Sequence, residues 1–451
     1  MSGSLVVLAP ALTLAREPVP WFHLVPGARP LALVVHGSQV FEIEPELFAA
    51  LQLGDASAEQ ELRHSAGGFA APPNAALDLR PPAAVSLNIA QSCNLACSYC
   101  YADEGRFGGK PEFMPFDIAR AAIDTILTGA RGRRVTIGFI GGEPFLNRPV
   151  LHESVEYAAR RGRELRTTVE FSVTTNATLL TGEDLDLLRR HAFAVSVSLD
   201  GSAEMNDRER RSLDGSSAAA AALARLQPLL ATPGRARIAA RATITRHDLR
   251  VAERVAALAA AGFHDIGVSP LRTSPLADQV LRSQDWPVYL SEMIRAAEAE
   301  WRQLEQGAQW RFSNLATAVK QIHAGAARTL PCGAGDNYVS VDAHGEYFAC
   351  HRTVGDERFH LGAHPDDARR REFLAARQVD VQEPCRSCWA RYLCGGGCHA
   401  EVATNGRAGC DFIRGWLEYC LGFYDRVSRA RPQLLASKRA EAPRFENVVE
   451  V

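Results

Sequence analysis

Cys93, Cys97 and Cys100 stand in the stretch Cys-Asn-Leu-Ala-Cys-Ser-Tyr-Cys, with the spacing C-x3-C-x2-C. Thiolates are soft ligands, suited to zinc and to iron–sulfur clusters. Three thiols hold three irons of a [4Fe–4S] cube and leave the fourth open to an outside ligand. A structural zinc instead closes its coordination with four protein ligands. An open corner implies chemistry at that corner. A second thiol-rich region lies far downstream. It runs from Cys332 and Cys350 through Cys385-x2-Cys388-x5-Cys394-x3-Cys398 to Cys410. By spacing alone, Cys385 and Cys388 also suit half of a zinc knuckle. Cys420 falls in a helical pattern, where a thiol packs as a small apolar group.

The chain has 451 residues, enough for two or three domains with ample core. Its 11 cysteines are absent from residues 1–92 and 101–331, and the odd, clustered count favours metal ligation over a disulfide framework. Basic and acidic residues nearly balance, 50 against 52, so no nucleic-acid or anionic-membrane surface is expected. The longest apolar runs, at Leu5–Leu14 and Leu31–Val35, are too short to span a bilayer. No basic segment precedes an apolar one near the start, and a cytoplasmic location is expected.

These residues need a frame, and the middle of the chain supplies a repeat of strand then helix. Strands are expected at Val85–Ile89, Val135–Ile140, Val169–Thr174, Phe193–Leu199, Ile238–Thr245 and Ile266–Ser269. Helices are expected at Phe116–Leu127, Pro149–Arg163, Thr181–Arg190, Ser217–Leu230 and Leu249–Ala261. Thr181 with Asp184 reads as a capping box. Parallel strands need helical crossovers, so six such units imply an α/β fold, a partial (β/α)6 TIM-like barrel. Its site belongs at the C-terminal strand ends. The cysteine loop, Gly141-Gly142-Glu143-Pro144, Asn176 and Asp200 all fall there. Residues 1–80 read as a small N-terminal α+β unit, with two strands in Pro30–Ile43 and a helix at Glu44–Leu51. Such a unit suits peptide docking through a strand edge. The expected divisions are 1–80, a core at 84–272, a helical bridge at 273–326, a Cys-rich domain at 327–426 and a tail at 427–451. Within the bridge, helices are expected at Pro287–Leu304 and Asn314–Ala324, and within the Cys-rich part at Phe412–Tyr424.

The cysteine motif, with the aromatic Tyr99 before its last thiol, resembles the signature of the radical S-adenosylmethionine (radical SAM) superfamily. The resemblance implies a [4Fe–4S] cluster on Cys93, Cys97 and Cys100 with S-adenosylmethionine on the open iron. One-electron cleavage there yields a 5′-deoxyadenosyl radical that takes hydrogen from substrate. Gly141, Gly142 and Glu143 match the family's GGEP element. The resemblance implies glycines that let backbone approach the methionyl group, and a carboxylate for its ammonium. Asn176, Ser198, Arg210 and Arg241 are further cofactor-binding expectations.

The later thiols resemble a SPASM domain, which implies two auxiliary [4Fe–4S] clusters. The first takes Cys332, Cys350 and Cys398, and the second takes Cys385, Cys388, Cys394 and Cys410. No further thiol follows Cys332 closely, so the first auxiliary cluster is expected to keep an open iron. In sulfatase maturases an Asp follows the second SPASM cysteine; here His351 stands there and is the candidate catalytic base. The leading expectation is a peptide maturase that cross-links a precursor peptide or small protein subunit through a thioether or carbon–carbon bond. Flavodoxin or ferredoxin would supply electrons. Alternatives are formylglycine formation of the sulfatase-maturase type, maturation of a quinohaemoprotein amine dehydrogenase subunit, and an iron–sulfur electron carrier.

Overall fold

The computed structural model describes residues 19–67, 78–325 and 327–435. The apolar run Leu5–Leu14, the loop at Pro72-Pro73 and residues 436–451 of the expected tail lie outside the described residues. No helix among the described residues is long and apolar enough to cross a membrane.

The N-terminal unit is an antiparallel sheet of β1 (Phe22–Val25), β2 (Leu31–Val34) and β3 (Gln39–Glu42), with helices Pro45–Gln52 and Ala56–Ala66. Strand β1 and the second helix were not expected. That helix is polar, but Asp55 accepts from the Ala58 N–H and caps its start.

The core follows the six-unit expectation. Its strands are β4 (Ala84–Ala90), β6 (Arg134–Gly141), β7 (Thr168–Thr175), β8 (Phe193–Ser198), β10 (Arg237–Ile244) and β11 (Ile266–Pro270). Two short strands, β5 (Leu95–Cys97) and β9 (Arg210–Ser212), stand apart as an antiparallel ribbon. The core strands are parallel in the order β11-β10-β8-β7-β6-β4. The Thr181–Asp184 capping box forms in full.

The sheet does not stop at β4. Strand β12 (Tyr338–Val341) comes from the Cys-rich part and adds parallel to β4, with Tyr338 opposite Ala84. β13 (Tyr347–Phe348) and β14 (His360–Gly362) extend it antiparallel. The expected boundary at 326/327 is therefore crossed by one continuous sheet. The loop between Cys332 and Cys350 is built onto the barrel wall.

Alternation along the strands separates two faces. Leu87, Phe139, Phe171, Val173, Val195, Val197 and Ala240 are buried in the main apolar core with the helices. The opposite face carries Ser86, Asn88, Gly138, Ser172, Thr174, Ser196 and Ser198. A Cβ on Gly138 would meet Ser172 Oγ at 2.8 Å and Ser86 Oγ at 3.1 Å, so these three share one inner layer. An eight-stranded barrel usually fills its interior with branched apolar groups. This interior is small and polar, which leaves room for a ligand.

Arg370 ties the Cys332 loop down. Its side chain is fully buried and donates to the carbonyls of Arg80, Gly335 and Asp336. Arg370→Ala strands three carbonyls and is expected to lower stability by about 3 kcal/mol. A shift of the denaturant midpoint checks this; an unchanged midpoint contradicts it.

Candidate functional site

The cysteine loop leaves β4 and is held from three sides. First, β5 pairs with β9, with Cys97 opposite Arg210, and the Ser98 N–H donates to Glu209 O at 2.9 Å. Second, the segment after β6 bonds to the loop backbone. Gly142 N donates to Ala90 O at 2.8 Å, and Glu143 N to Ser92 O at 2.9 Å. Third, after β7, Asn176 Nδ2 reaches Asn94 Oδ1 at 3.0 Å and lies 3.8 Å from Cys93 Sγ. Asn94 in turn donates to Thr178 Oγ1 at 2.8 Å.

Gly141 and Gly142 are required by this packing. Gly141 has φ +147°, and a Cβ there would sit 2.2 Å from Ala90 O; one on Gly142 would sit 2.2 Å from Ser92 O. The space that their missing side chains leave is taken by the cysteine loop's own backbone.

Glu143 is fully buried. It accepts from Thr175 Oγ1 at 2.8 Å, from Asn176 N at 2.8 Å and from Phe145 N at 3.2 Å. Burial pushes its carboxyl up to about 7, against the pull of the Asn176 N–H. A carboxylate has about four acceptor sites, so one remains for a ligand donor.

Tyr99 is buried between its flanking thiols and donates to Asp200 Oδ2 at 2.6 Å. The Arg210 guanidinium lies 5.2 Å from the Tyr99 ring centroid, 3.2 Å from Asp200 Oδ2 and 3.9 Å from Cys97 Sγ. Asp200 Oδ1 accepts from Thr243 N at 2.8 Å. Asp200 is thus the buried acceptor that joins the cysteine loop to β8 and β10. Sequence reading placed it at a strand end but missed this role. Arg210 is spent on this cluster of contacts, beside the thiols.

Two other expectations fall differently. Ser198 ends β8, half-buried on the inner face. Arg241 lies opposite Ser198 and Gly267, yet its guanidinium turns to Asp265 Oδ1 at 2.8 Å. Asp265 precedes β11, at the N-terminal end of the sheet, so Arg241 is not brought to the cysteine loop.

The charges of Cys97 and Cys100 both bear on Cys93. Burial pushes the Cys93 thiol up to about 12 and the Cys97 thiol up to about 11, the latter opposed by Arg210. Buried thiols of this kind become thiolates only with a cation beside them, as in a metal cluster. Cys332 and Cys398 bear likewise on Cys350. Cys388, Cys394 and Cys410 bear on Cys385, and these four line a cavity of about 60 Å³. Among the described residues no three ligand-type side chains converge on a single ion. Tetrahedral zinc needs its sulfurs drawn in to about 2.3 Å from one centre. Thiols gathered but not converging fit the corners of a cluster better than a zinc site.

His351 is buried, with Nδ1 2.8 Å from Tyr338 Oη and 3.8 Å from Cys350 Sγ; Tyr338 donates on to Ser86 Oγ at 2.9 Å. Burial, and then the Arg352 charge, push the imidazole down to about 3. Through Tyr338 the His351 ring is tied to β12 and, by way of Ser86, to β4. Cys420 is fully buried in helix Cys410–Ala430, as an apolar packing group.

Asp200→Asn leaves Arg210 buried with its anion removed. It is expected to cut iron by about four of about twelve per chain, at the Cys93 loop alone. Iron analysis with electron paramagnetic resonance checks this, and full wild-type iron contradicts it.

Comparison with known proteins agrees with this geometry. Residues 87–228 match the model of the radical SAM superfamily. The mycofactocin maturase MftC of Mycobacterium tuberculosis is 27% identical over 390 residues, covering 82% of this chain and 90% of that protein. The serine-type anaerobic sulfatase-maturating enzyme of Klebsiella aerogenes is 25% identical over 347 residues, covering 71% of this chain and 80% of that protein. The solved structure of native anSMEcpe with bound AdoMet superposes with a TM-score of 0.65 at 18% identity, covering 77% of this chain and 99% of that one. Residues 87–228 are a radical SAM domain, the fold is a partial TIM barrel, and the chain is an enzyme with S-adenosylmethionine and [4Fe–4S] clusters as its cofactors.

Proposed function

We propose that the protein is a peptide maturase that installs a thioether or carbon–carbon cross-link in a precursor peptide or small protein subunit. The observation that carries this is the addition of β12 to β4. It sets the Cys332–Cys350 loop on the wall of a polar lumen whose mouth holds the Cys93 loop. An extended peptide in that lumen lies between the two sites. The similarity to a mycofactocin maturase across most of both chains supports a peptide substrate.

When bound on Cys93, Cys97 and Cys100, the cluster and S-adenosylmethionine supply a 5′-deoxyadenosyl radical that abstracts hydrogen. The protein's own part is to hold and shield. Glu143 offers its remaining acceptor site to the cofactor's ammonium, and the half-buried Ser198 hydroxyl faces the lumen near the cofactor. Asn176 orients Cys93. Tyr99, Asp200 and Arg210 fix the loop. Ser86, Ser172 and Ser196 line the space for the peptide backbone. Cys332, Cys350 and Cys398 would hold one auxiliary cluster, and Cys385, Cys388, Cys394 and Cys410 the other. A one-electron reductant such as flavodoxin or ferredoxin is implied.

Formylglycine formation is the second reading, supported by similarity to the sulfatase-maturating enzyme. An Asp at that place would favour this reading; here His351 stands there, 2.8 Å from Tyr338 Oη. The two readings separate by mass spectrometry on a candidate precursor peptide, taken from any small reading frame found beside this gene. A cross-link removes H2 and protects the joined residues from fragmentation, with no carbonyl formed. A product that reacts with a hydrazide reagent instead supports formylglycine, and an unmodified peptide contradicts both.

Glu143→Gln keeps the shape but loses the charge that pairs with an ammonium. S-adenosylmethionine binding is expected to weaken by about tenfold to a hundredfold. Equilibrium dialysis checks this, and wild-type affinity would remove Glu143 from the proposed contact.

A further inference from the structure

Arg272 is the second residue after β11, at the C-terminal end of the last core strand. Its side chain is 10% exposed. It leaves the barrel and lines the cavity that Cys385, Cys388, Cys394 and Cys410 surround. Nη1 donates to Glu401 Oε2 at 2.9 Å. Nε and Nη2 are buried and have no acceptor among the described residues. The Trp286 ring, 5.6 Å from Cζ, covers the guanidinium without offering an oxygen.

Two unpaired nitrogens on one buried guanidinium are costly, because each donor has lost its water without gaining a partner. The other arginines around the cavity are better satisfied. Arg407 donates to Gly396 O and to Gln382 Oε1. Arg391 donates to the carbonyls of Pro20 and Cys388 and leaves only Nε unpaired. Arg414 pairs with Asp411 and with the Cys388 thiol. The sulfurs of a cluster in the cavity are acceptors of the kind that Arg272 lacks.

Glu401 does more than hold Arg272. Its Oε1 accepts from Arg352 Nη1 at 2.9 Å, and that nitrogen lies 3.9 Å from Cys398 Sγ. Arg352 also sits 5.0 Å from the ring of Tyr101, next to Cys100. One carboxylate therefore clamps two guanidinium groups, one at each set of later thiols. The bridge runs from the last barrel strand to the edge of the Cys93 loop.

We infer that Arg272 is a positioning residue that sets the reduction potential of the cluster on Cys385, Cys388, Cys394 and Cys410, by donating Nε and Nη2 to its sulfurs. This rests on the assignment of those four thiols to a cluster. Reduction adds one negative charge to the cluster, and a fixed cation with two donors favours that state. Glu401 orients the fork, and its second partner Arg352 keeps the carboxylate paired when Arg272 is changed.

The test uses the full chain with its clusters reconstituted, as wild type, Arg272→Met and Arg272→Lys. Midpoint potentials are read by electron paramagnetic resonance during redox titration, with iron counted in each sample. Arg272→Met is expected to move one auxiliary midpoint to more negative potential, leaving two signals unmoved and about twelve irons. Arg272→Lys keeps the charge but loses the fork, and shifts the same signal less. Three wild-type midpoints in fully loaded Arg272→Met overturn the inference. If Arg272→Met loses iron, Arg272→Lys decides: a negative shift supports the inference and a wild-type midpoint overturns it. Only about eight irons in wild type, or three intact signals in Cys394→Ala, would overturn the cluster assignment itself.

Discussion

The Asp200 carboxylate is the contact on which the rest of the site depends. It receives Tyr99 from the cysteine loop, Arg210 from the ribbon strand β9 and the Thr243 N–H from β10. A buried carboxylate is tolerated only when paired and hydrogen-bonded, and here every contact joins a different part of the chain. The short strand β5 has little packing of its own. Its position is set by this carboxylate, by pairing with β9, and by the glycines that let the end of β6 approach the start of the cysteine loop at Ala90 and Ser92. Loss of the carboxylate would free the loop from the barrel mouth while leaving the barrel itself intact.

The same electrostatic problem recurs at each thiol set. Burial raises Cys93, Cys332 and Cys385, one in each set, so each set needs cations or donors nearby. The fold supplies arginines from distant elements: Arg210 at Cys97, Arg352 at Cys398, and Arg272, Arg407 and Arg414 around the fourfold set. Buried ion pairs add little net stability. Their placement here instead fixes where charge can sit. The polar lumen follows the same logic. Small hydroxyl-bearing residues on the inner face give up core packing in order to keep space beside the two thiol regions.

Local patterns carried much of this into the sequence. The six core strands and their helices were legible because each alternates or repeats over a full element, and the capping box at Thr181 fixed a helix start. The cysteine spacings were legible because ligands of one cluster crowd together along the chain. Contacts made across long separations were not. Strand β12 joins β4 across about 250 residues, and nothing in its four residues names its partner. The ribbon of β5 and β9 is too short to show a period. Arg241 sits on the correct face but turns to Asp265, a choice set by one neighbouring charge. Gly141 and Gly142 were legible as a place of close backbone approach, but that the backbone of Ala90 and Ser92 lies against them was not. Asp200, Arg272 and Glu401 gain their meaning only from what the fold brings beside them.

The central claim is that a radical formed at the Cys93 loop reaches a peptide lying in the polar lumen. Hydrogen transfer tests it directly. A precursor peptide that the enzyme modifies, deuterated at its side chains, is incubated with reduced enzyme and S-adenosylmethionine, and the released 5′-deoxyadenosine is weighed by mass spectrometry. The account predicts that deuterium from the peptide appears in 5′-deoxyadenosine. 5′-Deoxyadenosine that forms without deuterium from any position of the peptide would contradict it.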